Sequence, residues 1–436
     1  MLYRFLKLLL GIGIRLYYRE VRIKDKERLA QKGAKIIIAN HPNTLMDAWI
    51  IGQLCKEPIY FLTKGTFFNA KWKKKLLMSL GMIPINRATD GRTSGVSNMS
   101  SFEHCYEVLE QGKTLVVFPE GNSFLERQLR ELKSGTARIA LELLLRGKLQ
   151  DVTVIPVGLI YTKGEKFRSS VLGFVGENID VKPFLELYKT DSIKASKQLT
   201  EEFRVALEKM LINSASIEQE QLVDQIVEVL AIDVTGAAGK ELERSIDSVK
   251  KAHDALNVMH LHEPWKIKRI EHLVRSIRWR LNQLEIDPDL VSGRRKPTHV
   301  VVQLVESLGL ILFGFPIFFF GAIHNLLPFQ FTSLLMPKMV RDIEYYAPIA
   351  ILIGLVIYPL TYAGFLYLGS FLFDIHGWWK LVYLLSMPIS GILAYHFIRQ
   401  IQNITFRWNY LAISRSEKDK IHAVTSDIQE LKSLIF

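Results

Sequence analysis

The chain has 436 residues, enough for two or three domains, with 49% hydrophobic residues and a formal net charge of +12. That charge favours anionic partners such as phosphorylated substrates or anionic lipid. No nucleic-acid-binding module is visible among the basic residues, which argues against a nucleic-acid partner, and two cysteines far apart in sequence argue against a disulfide framework and fit a reducing cytoplasmic side.

In chain order, Met1 to Tyr18 is apolar but carries Arg4, Lys7 and Arg15, has no small-residue cleavage site and is short for a span. It reads as an interfacial helix rather than a signal peptide. From about 25 to 195, apolar runs such as KIIIAN, TLVVF and VTVIPVGLIY alternate with helical patterns, which predicts an α/β domain. The first run leads straight into Asn40, His41 and Pro42, and Asp47 follows. Histidine titrates near neutrality and can take a hydroxyl proton, while an acid on its other nitrogen fixes the tautomer. On one continuous helix, six steps of about 100° set the two side chains about 120° apart. They converge only if His41 lies in a loop, where Pro42 tends to keep it. Thr44 to Asp47 also has the form of a helix N-cap followed by an acid three residues on, which gives Asp47 a purely structural reading beside the chemical one.

Further along, KGTFFNAKWKKKLL interleaves Phe67, Phe68 and Trp72 with Lys64, Lys71, Lys73, Lys74 and Lys75. Such a segment suits a lipid headgroup layer or, equally, a solvated basic helix end. Gly81-Met82-Ile83-Pro84-Ile85-Asn86-Arg87 reads as a short strand ending in a guanidinium, whose planar fork suits phosphate. Phe118-Pro119-Glu120-Gly121-Asn122-Ser123 delivers a carboxylate, a glycine and a hydroxyl at the end of the strand run Thr114 to Phe118, where open α/β sheets place ligands. Leu132-Lys133-Ser134-Gly135 precedes a helical pattern, and Val154-Ile155-Pro156-Val157 reads as another buried strand.

Taken together these segments resemble the glycerol-phosphate and lysophosphatidate acyltransferases. That family's motifs are an Asn-His pair with a following Asp, a Gly-x-Ile-Pro-Ile-x-Arg strand, Phe-Pro-Glu-Gly, and an Ile-Pro-Val strand. All occur here in the family's order between about residues 36 and 160. One departure stands out: the family commonly has four residues between His and Asp, and here Pro42 to Met46 make five. Members similar to the fungal glycerol-3-phosphate and dihydroxyacetone-phosphate enzymes share the longer spacing, a Ser where Ser123 stands, and a Leu-Lys-x-Gly stretch.

The resemblance implies an α/β acyltransferase domain, a mixed sheet covered by helices, that moves a fatty acyl group from acyl-CoA or acyl-carrier protein to a hydroxyl of glycerol 3-phosphate or 1-acylglycerol 3-phosphate in phospholipid biosynthesis. The thioester is a co-substrate, and neither a cofactor nor a metal is expected. His41 would be the general base and Asp47 its orienting acid. Arg87 would hold the acceptor's phosphate, Glu120 and Gly121 would place its glycerol end, and Ser123 and Lys64 complete the expected substrate-binding set. Transfer would be direct, because neither Cys55 nor Cys105 stands in a motif and Ser123 lies outside any Gly-x-Ser-x-Gly elbow. The alternative is a non-catalytic lipid-binding membrane protein that keeps the fold while the extra residue displaces Asp47.

Residues 196–297 show helical spacing with many charges and read as a helical connector, with Ser292 to Pro297 as the one obvious linker. His260, His262 and Glu263 lack the His-x-x-x-His spacing of a zinc helix. Within 298–400, long uncharged runs span Ser307 to Pro337, Tyr345 to Phe373 and Leu381 to Ile398, each able to supply the roughly 20 apolar residues of a crossing. Both the first domain and the tail, 401–436, are basic, so the positive-inside tendency places both in the cytoplasm and requires an even number of crossings. The first run is the expected re-entrant exception, because Gly314, Pro316, Gly321, His324 and Asn325 make it irregular; His324 is expected to make a buried polar contact. The expected protein is thus integral to the membrane, with its catalytic domain on the cytoplasmic face, an interfacial helix over 1–24 and membrane lipid as a partner.

Overall fold

Ile36, Ile37, Ile38 and Ala39 have no solvent exposure, a condition that only a central strand covered on both faces satisfies. The computed structural model describes residues 2–85, 98–232, 239–294 and 299–436. Among these, β1 (Glu20–Lys24), β2 (Lys35–Ala39), β3 (Ile59–Lys64), β4 (Met82–Ile85), β5 (Thr114–Val117), β6 (Thr153–Tyr161) and β7 (Ser170–Val175) form one sheet in the order β1-β7-β6-β2-β5-β3-β4. Strands β2 to β6 run parallel, and β7 turns antiparallel to β6 and carries β1 parallel at the edge. The mixed sheet is therefore as the sequence implies. Its consequence for the site is directional: the chain leaves β2, β3, β5 and β6 at one edge, so the loops after them gather there.

Helices α1 (Leu2–Tyr17), α2 (Leu45–Leu54), α3 (Lys71–Ser79), α4 (Asn98–Glu110), α5 (Gly135–Leu145), α6 (Leu185–Thr190) and α7 (Ser192–Glu208) accompany the sheet. In α5, Ala137, Ile139, Ala140, Leu141 and Leu143 are buried. Helix α1 buries Gly13, Ile14 and Tyr17 and leaves Leu2, Phe5, Leu8, Ile12 and Leu16 exposed along one face. Helix α3 buries none of its residues, and Phe67 and Trp72 beside its lysines are exposed while Phe68 is buried.

This first compact unit comprises Met1–Asn213, Thr235–Glu243 and Asp342–Ile351, so the boundaries read from sequence shift. Residues 20–24 are not part of an interfacial segment. They pair with Ser170–Phe174 as an edge strand, whose charges had hidden it. The expected break at 195/196 falls inside α7, whose Leu199, Phe203 and Leu207 are buried.

The second unit comprises Ser214–Val234, Arg244–Arg341 and Leu352–Phe436. Its elements are drawn from α8 (Ile217–Val229), α9 (Gly239–His262), α10 (Pro264–Leu284), α11 (Pro288–Val291), α12 (Val300–Gly309), α13 (Phe315–Met339), α14 (Tyr346–Leu372), α15 (Trp379–Ser416) and α16 (Lys418–Ile435). Arg269 forks onto Glu430 at 2.7 and 2.8 Å, joining α10 to α16. Three stretches, Val300–Met339, Ile343–Leu372 and Trp379–Ser416, are long and apolar enough to cross a membrane. The first corrects the re-entrant expectation, because it is one helical run of 40 residues with no break at which to turn back. A π-helical turn at Leu310–Gly314 precedes Pro316 and keeps the axis continuous. Gly321 and Asn325 instead serve packing against α14 and α15. A Cβ at Gly321 would lie 2.3 Å from the Ser390 carbonyl, and Asn325 donates to the Met387 carbonyl at 2.9 Å while accepting from the Tyr362 hydroxyl at 2.6 Å. His324 is buried, as expected; its Nδ1 donates to the Phe320 carbonyl and its Nε2 accepts from Tyr383, both at 2.8 Å. The third stretch continues through position 400 to Ser416, so the expected start of a separate tail at 401 lies inside α15.

Gly81, which opens β4, has φ +84°, and a Cβ there would sit 2.3 Å from the Ile59 carbonyl oxygen. Gly81→Ala is expected to destabilise the first unit by more than the roughly 1–3 kcal/mol of the dihedral alone. Thermal unfolding of the detergent-solubilised protein checks this, as a lower midpoint.

Candidate functional site

Residues at the shared edge of the sheet build the site. Asn40 continues β2 by side chain rather than backbone: its Nδ2 donates to the Leu159 carbonyl at 2.9 Å and its Oδ1 accepts from the Leu159 amide at 2.8 Å. The next residue, His41, is in the loop, as the argument from Pro42 requires. Asn43 to Met46 then form a turn closed by Met46 N–H on the Asn43 carbonyl at 2.9 Å. Thr44 occupies it at φ +45°, ψ −122°, a conformation that favours glycine and costs a β-branched residue about 1–3 kcal/mol. Its hydroxyl donates to the Glu344 carbonyl at 3.1 Å. The turn takes up the extra residue of the longer spacing, and α2 begins at Leu45 with Asp47 in its first turn.

His41 Nδ1 lies 2.9 Å from Asp47 Oδ2. Asp47 has no solvent exposure, and two further donors reach it: Asn43 N–H to Oδ2 at 2.8 Å and the Tyr161 hydroxyl to Oδ1 at 2.6 Å. Thr44 makes no side-chain cap, so the acid is turned to the histidine rather than completing a capping box. With Nδ1–H given to Asp47, the proton-accepting nitrogen is Nε2. The ring stacks on Phe118 at 4.0 Å between centroids and 12° between planes.

The loop after β5 clamps this histidine. Glu120 Oε1 accepts from the His41 amide at 2.8 Å and Oε2 accepts from the Arg130 amide at 3.1 Å, while Phe124 N–H reaches the His41 carbonyl at 3.3 Å. Burial raises the Glu120 carboxyl above its ordinary value, against the two backbone donors that lower it. Gly121 has φ +78°, and a Cβ there would meet Lys133 Nζ at 2.5 Å. Ser123 lies two residues on, partly exposed. A cleft of about 440 Å³ opens here, lined by Glu120, Asn122, Phe124, Arg130 and Lys133 among others. The Arg130 guanidinium stacks on Phe124 at 3.6 Å and pairs with Glu126 at 2.7 Å.

Of the residues expected from sequence, His41, Asp47, Glu120 and Gly121 come together. Lys64, partly buried, ends β3 opposite Ile85, at the same edge but three strands from β6. Arg87 lies outside the described residues. Sequence reasoning missed Asn40, Asn43 and Tyr161 as supports of the dyad. The two asparagines flank His41 and so were within reach of the motif, but Tyr161 is 114 residues from Asp47 and carries no spacing signal. Both cysteines are buried; burial raises the Cys55 thiol and pushes Cys105 up to about 12, which disfavours a thiolate nucleophile at either.

The Acyltransferase family model matches residues 20–160. By that match the chain carries a segment similar to the acyltransferases. The chain is 26% identical over 167 residues to a probable 1-acyl-sn-glycerol-3-phosphate acyltransferase of Mycoplasma pneumoniae, covering 37% of this chain and 58% of that protein. It is 33% identical over 95 residues to glycerol-3-phosphate O-acyltransferase 2 of Saccharomyces cerevisiae, 22% of this chain and 13% of that one. The chain thus spans little more than half of the first relative and a small part of the second. The crystal structure of the 1-acyl-sn-glycerophosphate acyltransferase of Thermotoga maritima superposes with a TM-score of 0.34 at 21% identity, covering 46% of this chain and 78% of that one.

The clamp on His41 is testable through Glu120. Glu120→Gln sets an amide NH₂ against one of two backbone donors, leaving a pair unmade, and is expected to cost about 1–3 kcal/mol at neutral pH. Because the carboxyl is raised in the folded state, its titration contributes stability that is complete below the ordinary value of 4.5 and is lost as pH rises through the raised value. The non-titrating variant lacks that loss, so its deficit is expected to be largest near pH 4.5 and to narrow towards neutrality in urea unfolding at stepped pH.

Proposed function

We propose that this protein transfers a fatty acyl group from a thioester, acyl-CoA or acyl-carrier protein, to a hydroxyl of a glycerol-phosphate acceptor in phospholipid synthesis. The observation that carries the reading is the 2.9 Å contact of His41 Nδ1 with a fully buried Asp47 at the C-terminal edge of the sheet. A glycerol hydroxyl is far too weak an acid to ionise at neutrality, so attack on a thioester needs a base at the oxygen. His41 Nε2 accepts that proton as the oxygen bonds to the thioester carbon, and Asp47 stabilises the imidazolium formed. Collapse of the tetrahedral adduct breaks the carbon–sulfur bond, and the imidazolium returns the proton to the departing thiolate. No covalent acyl-enzyme is required.

The acceptor's phosphate needs cations at the same edge. Lys133 and Arg130 border the cleft, Lys64 ends the neighbouring β3, and Arg87 follows β4 in sequence. Glycerol 3-phosphate is our preferred acceptor, on the longer His-to-Asp spacing and the likeness to the yeast enzyme; the monoacyl form is the competing one. The three apolar helices support a membrane setting, and the basic character of the domain supports its cytoplasmic placement. The catalytic reading is favoured over the non-catalytic one by the hydrogen-bond reach of Asp47 to His41, which the longer spacing does not prevent.

The experiment is purified protein in detergent with labelled acyl-CoA, offered glycerol 3-phosphate or lysophosphatidate in separate reactions. Labelled product is expected with glycerol 3-phosphate, and His41→Ala is expected to lower its formation at least about 100-fold while circular dichroism stays unchanged. Full turnover in the variant removes His41 from its role.

A further inference from the structure

Asp47 has two oxygens with separate duties. Oδ2 faces the imidazole and the Asn43 amide, and Oδ1 points the other way, to the Tyr161 hydroxyl at 2.6 Å. Tyr161 is the last residue of β6 and is buried to 6% exposure. Its ring lies 5.8 Å from that of Tyr18, whose hydroxyl accepts from Asn43 Nδ2 at 3.0 Å and donates to the Gly164 carbonyl at 2.9 Å. The phenol therefore arrives on a central strand of the sheet and is held by a packed neighbour, so its position is set independently of the His41 loop. We propose that Tyr161 is a positioning residue for the acyl-transfer reaction, locking the Asp47 carboxylate by its Oδ1 so that Oδ2 stays aimed at His41 Nδ1.

The inference rests on the reading of His41 as the base. Without the phenolic hydroxyl, Oδ1 of the buried carboxylate loses the donor that Tyr161 gives it. Negative charge then concentrates on the carboxylate facing the ring, which favours the imidazolium and raises the pH at which His41 loses its proton. The other ionisable groups that face the pair, among the described residues, are Glu120 on the His41 amide, Tyr18 beside Asp47, and Glu344 across from Thr44. A Tyr161→Phe change leaves all three in place.

The test uses the full chain in detergent. Tyr161→Phe is expected to lower kcat about 10- to 100-fold, to leave KM for the acceptor within about twofold, and to move the acid limb of the rate profile to higher pH. Combined with Asp47→Asn, it is expected to add nothing to the loss from Asp47→Asn alone, because both act through one carboxylate. Unchanged kcat and pH profile, or losses that add fully, overturn the proposal. A second measurement does not need turnover: the His41 ring titration followed by NMR on histidine-labelled protein moves up in Tyr161→Phe. If wild type acylates neither acceptor the reaction assignment fails, yet this titration still decides the positioning role. Should Tyr161→Phe not fold, fluorotyrosine placed at 161 alone keeps ring and hydroxyl but donates more strongly. It is expected to move the His41 titration down, and a midpoint equal to wild type overturns the proposal.

Discussion

A carboxylate removed from water is several kcal/mol unfavourable unless donors replace its hydration, and Asp47 has no exposure at all. Three donors, from the His41 ring, the Asn43 backbone and the Tyr161 side chain, make up that hydration. Each comes from a different constraint. The ring arrives because Asn40 and Glu120 hold the loop on both flanks, the amide because Thr44 takes a conformation it disfavours, and the phenol because β6 ends there. The dyad is thus the point at which the loop after β2, the loop after β5 and the end of β6 must agree, and a change in any of them is felt at the imidazole.

What the sequence disclosed follows the range of the interactions. Strand runs such as Ile36 to Ala39 and Thr114 to Val117 announce themselves, because burial on both faces demands unbroken apolar residues. His41, Asp47, Glu120 and Gly121 are legible because each sits within a few residues of a strand end. Tyr161 is not, since nothing in its strand's pattern says which loop its hydroxyl meets. The edge strand Glu20–Lys24 escaped for a related reason: half exposed and charged, it pairs only on one side. The two readings of Thr44 to Asp47 could not be separated by spacing. Only the backbone at Thr44 decides which way the acid turns.

In the second unit the opposite error occurs. Gly314, Pro316, Gly321, His324 and Asn325 look like a place where a helix fails, yet they mark where one helix is approached closely. Gly321 lets the Ser390 backbone come near, and Asn325 finds partners on two other helices. Among apolar helices, small and polar side chains signal contact more often than interruption, a distinction invisible until the neighbours are known.

The Glu344 carbonyl that accepts from Thr44 belongs to a stretch, Asp342–Ile351, that folds with the sheet although it opens the second apolar helix. A fragment cut before Asp342 therefore discards more than apolar helices. It strips the hydroxyl at the strained turn of its acceptor, so measurements on such a fragment describe a loosened His41 loop rather than that of the whole chain.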